Sequence, residues 1–228
     1  MSQSSLDEID GAVRDDLRSY LSAYATSSPP RTIAVVANAP LKPGPDRARR
    51  IDSADLVIRV NSFAVDEPGL APSHGTRVDV VVFSRGVRTT PHFFDRYATR
   101  GFLMVEVAQT WWATPRPAQE HFPEDLGYCC VPNRAVIAEL RSLVWGTAGG
   151  NRVDPTSGTV AAWLGYSLFP EAELLLCGFS FLDQQEQTSW EDHYFPGRVV
   201  KVPEAHRVGL EGGLLTSWIA AGRATVLA

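Results

Sequence analysis

Two histidines are the first residues that could do chemistry. His206 opens the stretch HRVGLEGGLL, just after Pro203-Glu204-Ala205. Proline suits the first turn of a helix, where its missing N–H costs nothing. Val208, Leu210, Leu214, Leu215, Trp218 and Ile219 would then give that helix a broad apolar surface, although the paired Gly212 and Gly213 weaken it. His206 is therefore expected in the first helical turn, near the positive end of the macrodipole, where neutral imidazole is favoured and can accept a proton. His193 sits in the polar, aromatic stretch SWEDHYFPG, and loops over a rigid sheet are where catalytic groups concentrate. Either histidine alone is also compatible with a solvated or packed side chain. Glu211 follows His206 by five residues, about 140° around a helix axis, so spacing does not bring the two together. It predicts instead an exposed pair of Glu211 with Arg207, worth a few tenths of a kcal/mol.

A second group of residues could hold an anion. Asp154-Pro155-Thr156-Ser157-Gly158-Thr159 is a proline-led turn running into the apolar TVAAWLGYSLF. Bare N–H groups at such a helix start attract anions, and Gly158 would let a ligand come close. Ordinary N-capping by Thr156 or Ser157 explains the same residues. Asn38 and Asn61 end apolar runs, and each amide offers a donor and an acceptor suited to a phosphate or a ribose. A simple turn asparagine is the other reading of each. The LKPGPDRARR that follows Asn38 is neither a GxxxxGK[ST] phosphate loop nor a GxGxxG fingerprint. Trp111, Trp112 and Trp190 lie in loop-rich segments, suited to stacking on a sugar or to packing a long loop.

The elements that would position these groups are legible as runs. TIAVVAN, ADLVIRVN (54–61), RVDVVVFS (77–84), GFLMVEVA (101–108) and ELLLCGFS (173–180) are apolar stretches of the buried-strand type, with GYCCVP (127–132) weaker and ATVLA closing the chain. Helical stretches fit at 6–25, 133–145 and 157–169, while 109–124 and 181–202 are rich in loop residues. Short apolar strands separated by helices predict an α/β fold, a mostly parallel Rossmann-like sheet with helices on both faces. Ligands then collect beyond the carboxyl ends of the strands. Residues 1–30 are expected to form a helix and linker, and residues 31–228 a single catalytic domain.

Bulk properties bound the function. A chain of 228 residues with 44% hydrophobic and 21% charged residues can bury a real core. A net charge of −5 without a basic stripe argues against nucleic acid. Cys129, Cys130 and Cys177 lack metal-type spacing, and an adjacent pair rarely bridges itself, so a reducing compartment is the simpler expectation. The acidic N-terminus lacks the apolar centre of a signal peptide, and no run approaches the ~18 apolar residues of a membrane span. A cytoplasmic protein without an integral membrane segment is expected.

Taken in order, VVANAP…IDSADLVIRVN, PTSGTVAAWLGYSLFPEAELLLCGFSF, HYF and HRVGLE resemble the four motifs of the animal-type sialyltransferase family. Asn38, Ile51-Asp52, Asp55, Ile58-Arg59 and Asn61 match the large motif. Pro155 to Gly158 with Gly178-Phe179 match the small motif, His193-Tyr194 the third, and His206 to Glu211 the very small one. The resemblance implies a variant GT-A-like fold and an inverting transferase that uses a CMP-activated sugar as donor substrate, with no metal and no cofactor. It implies that Asn38 and Asn61 hold the phosphate and ribose, and that Thr156, Ser157 and Gly158 hold the nucleotide or donor carboxylate. His193 would contact the leaving phosphate and His206 would be the general base. Gly178, Phe179 and Tyr194 join the donor site by the same matches.

The chain is expected to lack the family's membrane anchor and stem, and it departs from the family's cysteine pair between the large and small motifs and from the usual Gly-Asn-Ser, which here is Ala37-Asn38-Ala39. A soluble, bacterial-style member is implied, transferring sialic acid, Kdo or a related acid sugar to a small-molecule or glycan acceptor. A CMP-binding protein or CMP-sugar hydrolase without transfer is the alternative, and an unrelated doubly wound enzyme the third possibility. Neither the acceptor nor the oligomeric state is legible.

Overall fold

The computed structural model describes residues 3–84, 86–105, 122–146, 154–191, 194–195 and 197–228. Helix α1 (Gln3–Ser22) is followed by strand β1 (Thr32–Val36), helix α2 (Pro45–Ser53) and strands β2 (Leu56–Val60) and β3 (Val80–Ser84). After the single turn of α3 (Pro91–Phe94) come β4 (Gly101–Val105) and the two-residue β5 (Cys129–Cys130). A π-turn over Asn133–Ile137 runs into α4 (Ala138–Trp145), and α5 (Ser157–Leu168) leads to β6 (Glu173–Cys177) and the short α6 (Ser180–Asp183). Strands β7 (Ser189–Glu191) and β8 (Val199–Lys201), helix α7 (Val208–Ala220) and strand β9 (Ala224–Val226) complete the chain.

Seven strands form one sheet in the order β5-β4-β3-β2-β1-β6-β9. Every pairing in it is parallel, including Ile33 with Leu56 and with Leu174. This is the α/β sheet expected from the runs, and its cause is visible in the burial. All residues of β2 and β4 and the last four of β1 are buried, as strands covered on both faces require. On one face Ile33, Val35, Leu56 and Ile58 pack under α5, α1 and α4, with Leu17 and Leu21 of α1 inside that core. On the other, Ala34, Val36 and Val57 meet Ile51 of α2, and an aromatic cluster joins Phe83 and Phe102 to Phe93 of α3. Helix α5 is apolar nearly all round because it is buried nearly all round, from Val160 to Leu164.

Three local expectations differ from what is found. Segment 181–202 carries a hairpin, β7 antiparallel to β8, with Trp190 opposite Val200. The region after Asn38 holds α2, whose Pro45 starts the helix. The helix beyond Pro203 begins only at Val208, so His206 lies in the preceding turn, where its N–H donates to the Pro203 carbonyl. Gly212 then serves close packing, since a Cβ there would stand 2.8 Å from the carbonyl oxygen of Phe181. The proposed strand at 101–108 is described only as far as Val105, and Trp111, Trp112 and His193 lie outside the described residues. No described helix is long and apolar enough to cross a membrane.

Candidate functional site

The strand order reverses direction at β1, whose neighbours β2 and β6 are reached by connections running opposite ways. The crevice beyond such strand ends is the usual ligand position in open α/β sheets. A cavity of about 290 Å³ opens there, and Asn38, Asn61, Thr156, Gly158, Gly178 and Phe179 all stand on its wall.

Backbone geometry builds the floor. The Ala37 N–H donates to Cys177 O over 2.8 Å and the Ala39 N–H to Gly178 O over 3.1 Å, so the exits of β1 and β6 are zipped together. Gly178 has φ +70, and a Cβ on it would lie 2.6 Å from the Ala37 carbonyl oxygen. Only glycine fits that approach.

The two asparagines stitch neighbouring strand exits. The Asn38 side-chain N–H donates to Val60 O at 3.0 Å, and Asn61 Oδ1 accepts from Ser84 N at 2.9 Å. Asn61 takes the left-handed φ of +47, a conformation asparagine tolerates well. Each amide serves its turn with one end, and both residues stand on the cavity wall.

Behind Asn61 the chain is held by buried charge. Arg59 is fully enclosed and donates to the carbonyls of Arg77, Ala64 and His74 at 2.9, 3.1 and 2.8 Å. Burial pushes this guanidinium down to about 10, so it remains a cation at neutral pH. The Asp66 carboxylate accepts from the N–H groups of Ser73, His74 and Gly75 at 2.8, 2.9 and 2.7 Å. Partial burial raises its proton affinity, but these bonds outweigh burial and leave it below the ordinary carboxylate range. Asp52 accepts from the N–H groups of Thr76 and Arg77, both at 2.9 Å, so Arg59, Asp52 and Asp66 together brace the segment after Asn61.

The turn before α5 differs from a bare anion site. Thr156 is its N-cap, accepting from Thr159 N at 3.2 Å. The Thr156 N–H and hydroxyl donate to Glu211 Oε2 at 2.9 and 2.8 Å. Glu211 is fully buried and makes no pair with Arg207, contrary to the helical spacing argument. The reason is that α7 lies against the start of α5, and two donors in a dry interior outbid a solvated surface partner. Ser157 does not reach the cavity wall, and Gly158 lies under the Phe179 ring, 3.2 Å from where a Cβ would be. Ser157 is half-buried and Gly158 buried, and of the two only Gly158 stands on the cavity wall.

His206 is joined to the same turn. Its Nδ1 lies 2.7 Å from the Asp154 carbonyl oxygen, and the Asp154 N–H returns a bond to Ala205 O at 2.9 Å. A carbonyl only accepts, so Nδ1 carries a proton, which in the neutral ring places the lone pair at Nε2. Arg141 pairs with the Asp154 carboxylate. The ring of His206 is 6.0 Å from that of Trp190, a cavity residue, but His206 itself opens on an adjoining hollow with Gln187, Thr188 and Lys201. Tyr194 is not on the wall of this cavity and is edge-on to His92 at 5.5 Å and to Phe195 at 5.0 Å.

Cavity residues absent from the sequence reading are Ser62, Ser84, Arg88, Ser180, Glu191 and Arg198. Ser84 ends β3 and Ser180 begins α6, while the other four come from loops and the hairpin, where no periodicity marks them.

Protein-family models and curated proteins give no match to this chain. Among solved structures, a mammalian sialyltransferase superposes with a TM-score of 0.56 at 16% identity, over 86% of this chain and 68% of the other. A mammalian sialyltransferase in complex with Gal-beta-1-3GalNAc-ortho-nitrophenol gives a TM-score of 0.53 at 15% identity, over 86% and 69%. The fold is therefore sialyltransferase-like.

Proposed function

We propose that the chain is a metal-independent, inverting glycosyltransferase that moves sialic acid, Kdo or a related acid sugar from a CMP-activated donor to a hydroxyl acceptor. One observation carries this reading. The His206 imidazole is bonded through Nδ1 to the same short turn that caps α5 and borders the strand-end cavity. In this reading His206 is the base and the cavity wall the donor site, joined through that turn.

In the proposed step the acceptor hydroxyl gives its proton to His206 Nε2 as its oxygen bonds to the anomeric carbon. The bond from that carbon to the CMP phosphate breaks on the opposite side, and its electron pair leaves with the phosphate. The N–H groups at the start of α5 and the Asn61 amide are suited to the charge that grows there. Asn38 Oδ1 is suited to a ribose hydroxyl. The sequence resemblance assigns His193 to the same leaving phosphate. The exposed thiols of Cys129 and Cys130 suit a reducing cytoplasm.

Calorimetric titration with CMP, UMP and AMP tests the donor assignment. Binding should be selective for CMP. Asn38→Ala and Asn61→Ala should each weaken it about tenfold, the scale of one lost hydrogen bond in a cleft. Indifference to all three nucleotides, or unchanged CMP affinity in both folded variants, would show the pocket to be misassigned.

A further inference from the structure

The rim of the cavity carries two cations that the proposed step leaves unused. Arg88 lies in the loop after β3, and its guanidinium carbon is 4.5 Å from the centroid of the Phe195 ring. Arg198, at the entry to β8, is 5.8 Å from the same centroid. Both arginines line the cavity with Asn38, Asn61 and Gly178. Their backbones are pinned, since the Arg88 carbonyl accepts from the Ser62 hydroxyl and the Arg198 N–H donates to Phe195 O at 3.0 Å.

Neither guanidinium has an acidic partner among the described residues. Glu191, the one carboxylate among the described wall residues, accepts instead from Gly197 N at 2.9 Å. Two like charges on one aromatic ring repel, and an oxyanion between them removes that repulsion. Arginine also offers a planar fork that matches carboxylate and phosphate oxygens two at a time. Contact with the ring holds each side chain before a ligand arrives, which lowers the ordering cost of binding.

We propose that Arg88 and Arg198, braced on Phe195, form an oxyanion clamp that restricts the cavity to ligands carrying a carboxylate or phosphate at this rim. The identity of the ligand rests on the nucleotide-sugar reading, but the chemistry of the clamp does not. With one anion held at α5 and Asn61, a clamp elsewhere on the same cavity selects a doubly anionic donor over a neutral-sugar nucleotide.

The test uses the full chain as wild type, Arg88→Gln, Arg198→Gln and the double variant, with melting curves to confirm folding. Each is titrated with cytidine, CMP, CMP-N-acetylneuraminate and inorganic phosphate. Cytidine binding should be unchanged, and the ligand that meets the clamp should bind about tenfold more weakly in each single variant. Its wild-type affinity should also fall with added salt. A loss already present with CMP assigns the clamp to phosphate, and a loss confined to CMP-N-acetylneuraminate assigns it to the sugar carboxylate. Variants that match wild type on every ligand overturn the clamp and leave the nucleotide reading standing. A wild type that ignores every cytidine ligand but binds phosphate through these arginines keeps the clamp and overturns that reading. Binding of none of the four overturns both.

Discussion

Glu211 has one carboxylate oxygen occupied by the N–H and hydroxyl of Thr156 and the other enclosed without a partner. It fastens the helix after His206 to the turn that caps α5. Glu211→Ala would strand two buried donors, so stability should fall by about 1–3 kcal/mol in urea denaturation. Glu211→Gln keeps an acceptor for both and should lose much less. The surface pair with Arg207 suggested by spacing predicts only a few tenths of a kcal/mol for either change, so the measurement separates the two placements. Helical spacing misled here because it describes neighbours on one helix, and the decisive partner comes from another. Asn38 and Asn61 were legible because each ends a run of buried aliphatics. Arg88 and Arg198 were not, because an isolated arginine in a loop has no pattern until tertiary structure brings it to an aromatic ring.

The elements of the parallel sheet were the most readable part of the chain. Ile33 to Val36 is a continuous apolar run, and Leu56 to Val60 one interrupted only by Arg59, because both faces of the sheet are covered. The three-residue strands SWE and VVK of the hairpin were hidden, since neither alternates nor stays apolar. The start of α7 was also displaced, as Pro203 belongs to the turn that holds His206 rather than to the helix. Between β2 and β3, the segment after Asn61 depends on the Asp66 carboxylate, beside the buried His74 at 4.0 Å. Its folded proton affinity lies below that of an ordinary carboxylate, near 3.9 when unfolded. The stabilisation is therefore complete above about pH 4 and is lost as pH falls through the lower, folded value. The urea midpoint should drop on acidification from about pH 5 to about pH 3, and Asp66→Asn should start lower and show a flatter profile. An identical acid slope in wild type and Asp66→Asn would remove this carboxylate from the account.

At the scale of the molecule, the sheet's change of direction at β1 sets where a ligand can lie, and the site follows from which loops leave there. The wall carries the amides of Asn38 and Asn61 and the guanidiniums of Arg88 and Arg198, and its one described carboxylate, Glu191, is engaged with Gly197. Donor turnover should therefore persist in excess EDTA. Loss of activity on chelation with recovery on adding Mn²⁺ would assign the leaving phosphate to a metal instead. The central claim is that His206 is the base of a CMP-sugar reaction. It is tested most directly by the rate of CMP release from CMP-N-acetylneuraminate, with hydroxyl acceptors or water, in wild type and His206→Ala alongside their CMP affinities. Wild type should exceed the buffer rate, and His206→Ala should bind CMP equally well but release it roughly 10²–10⁴-fold more slowly. Release by His206→Ala at the wild-type rate, or a wild type no faster than buffer, would contradict it.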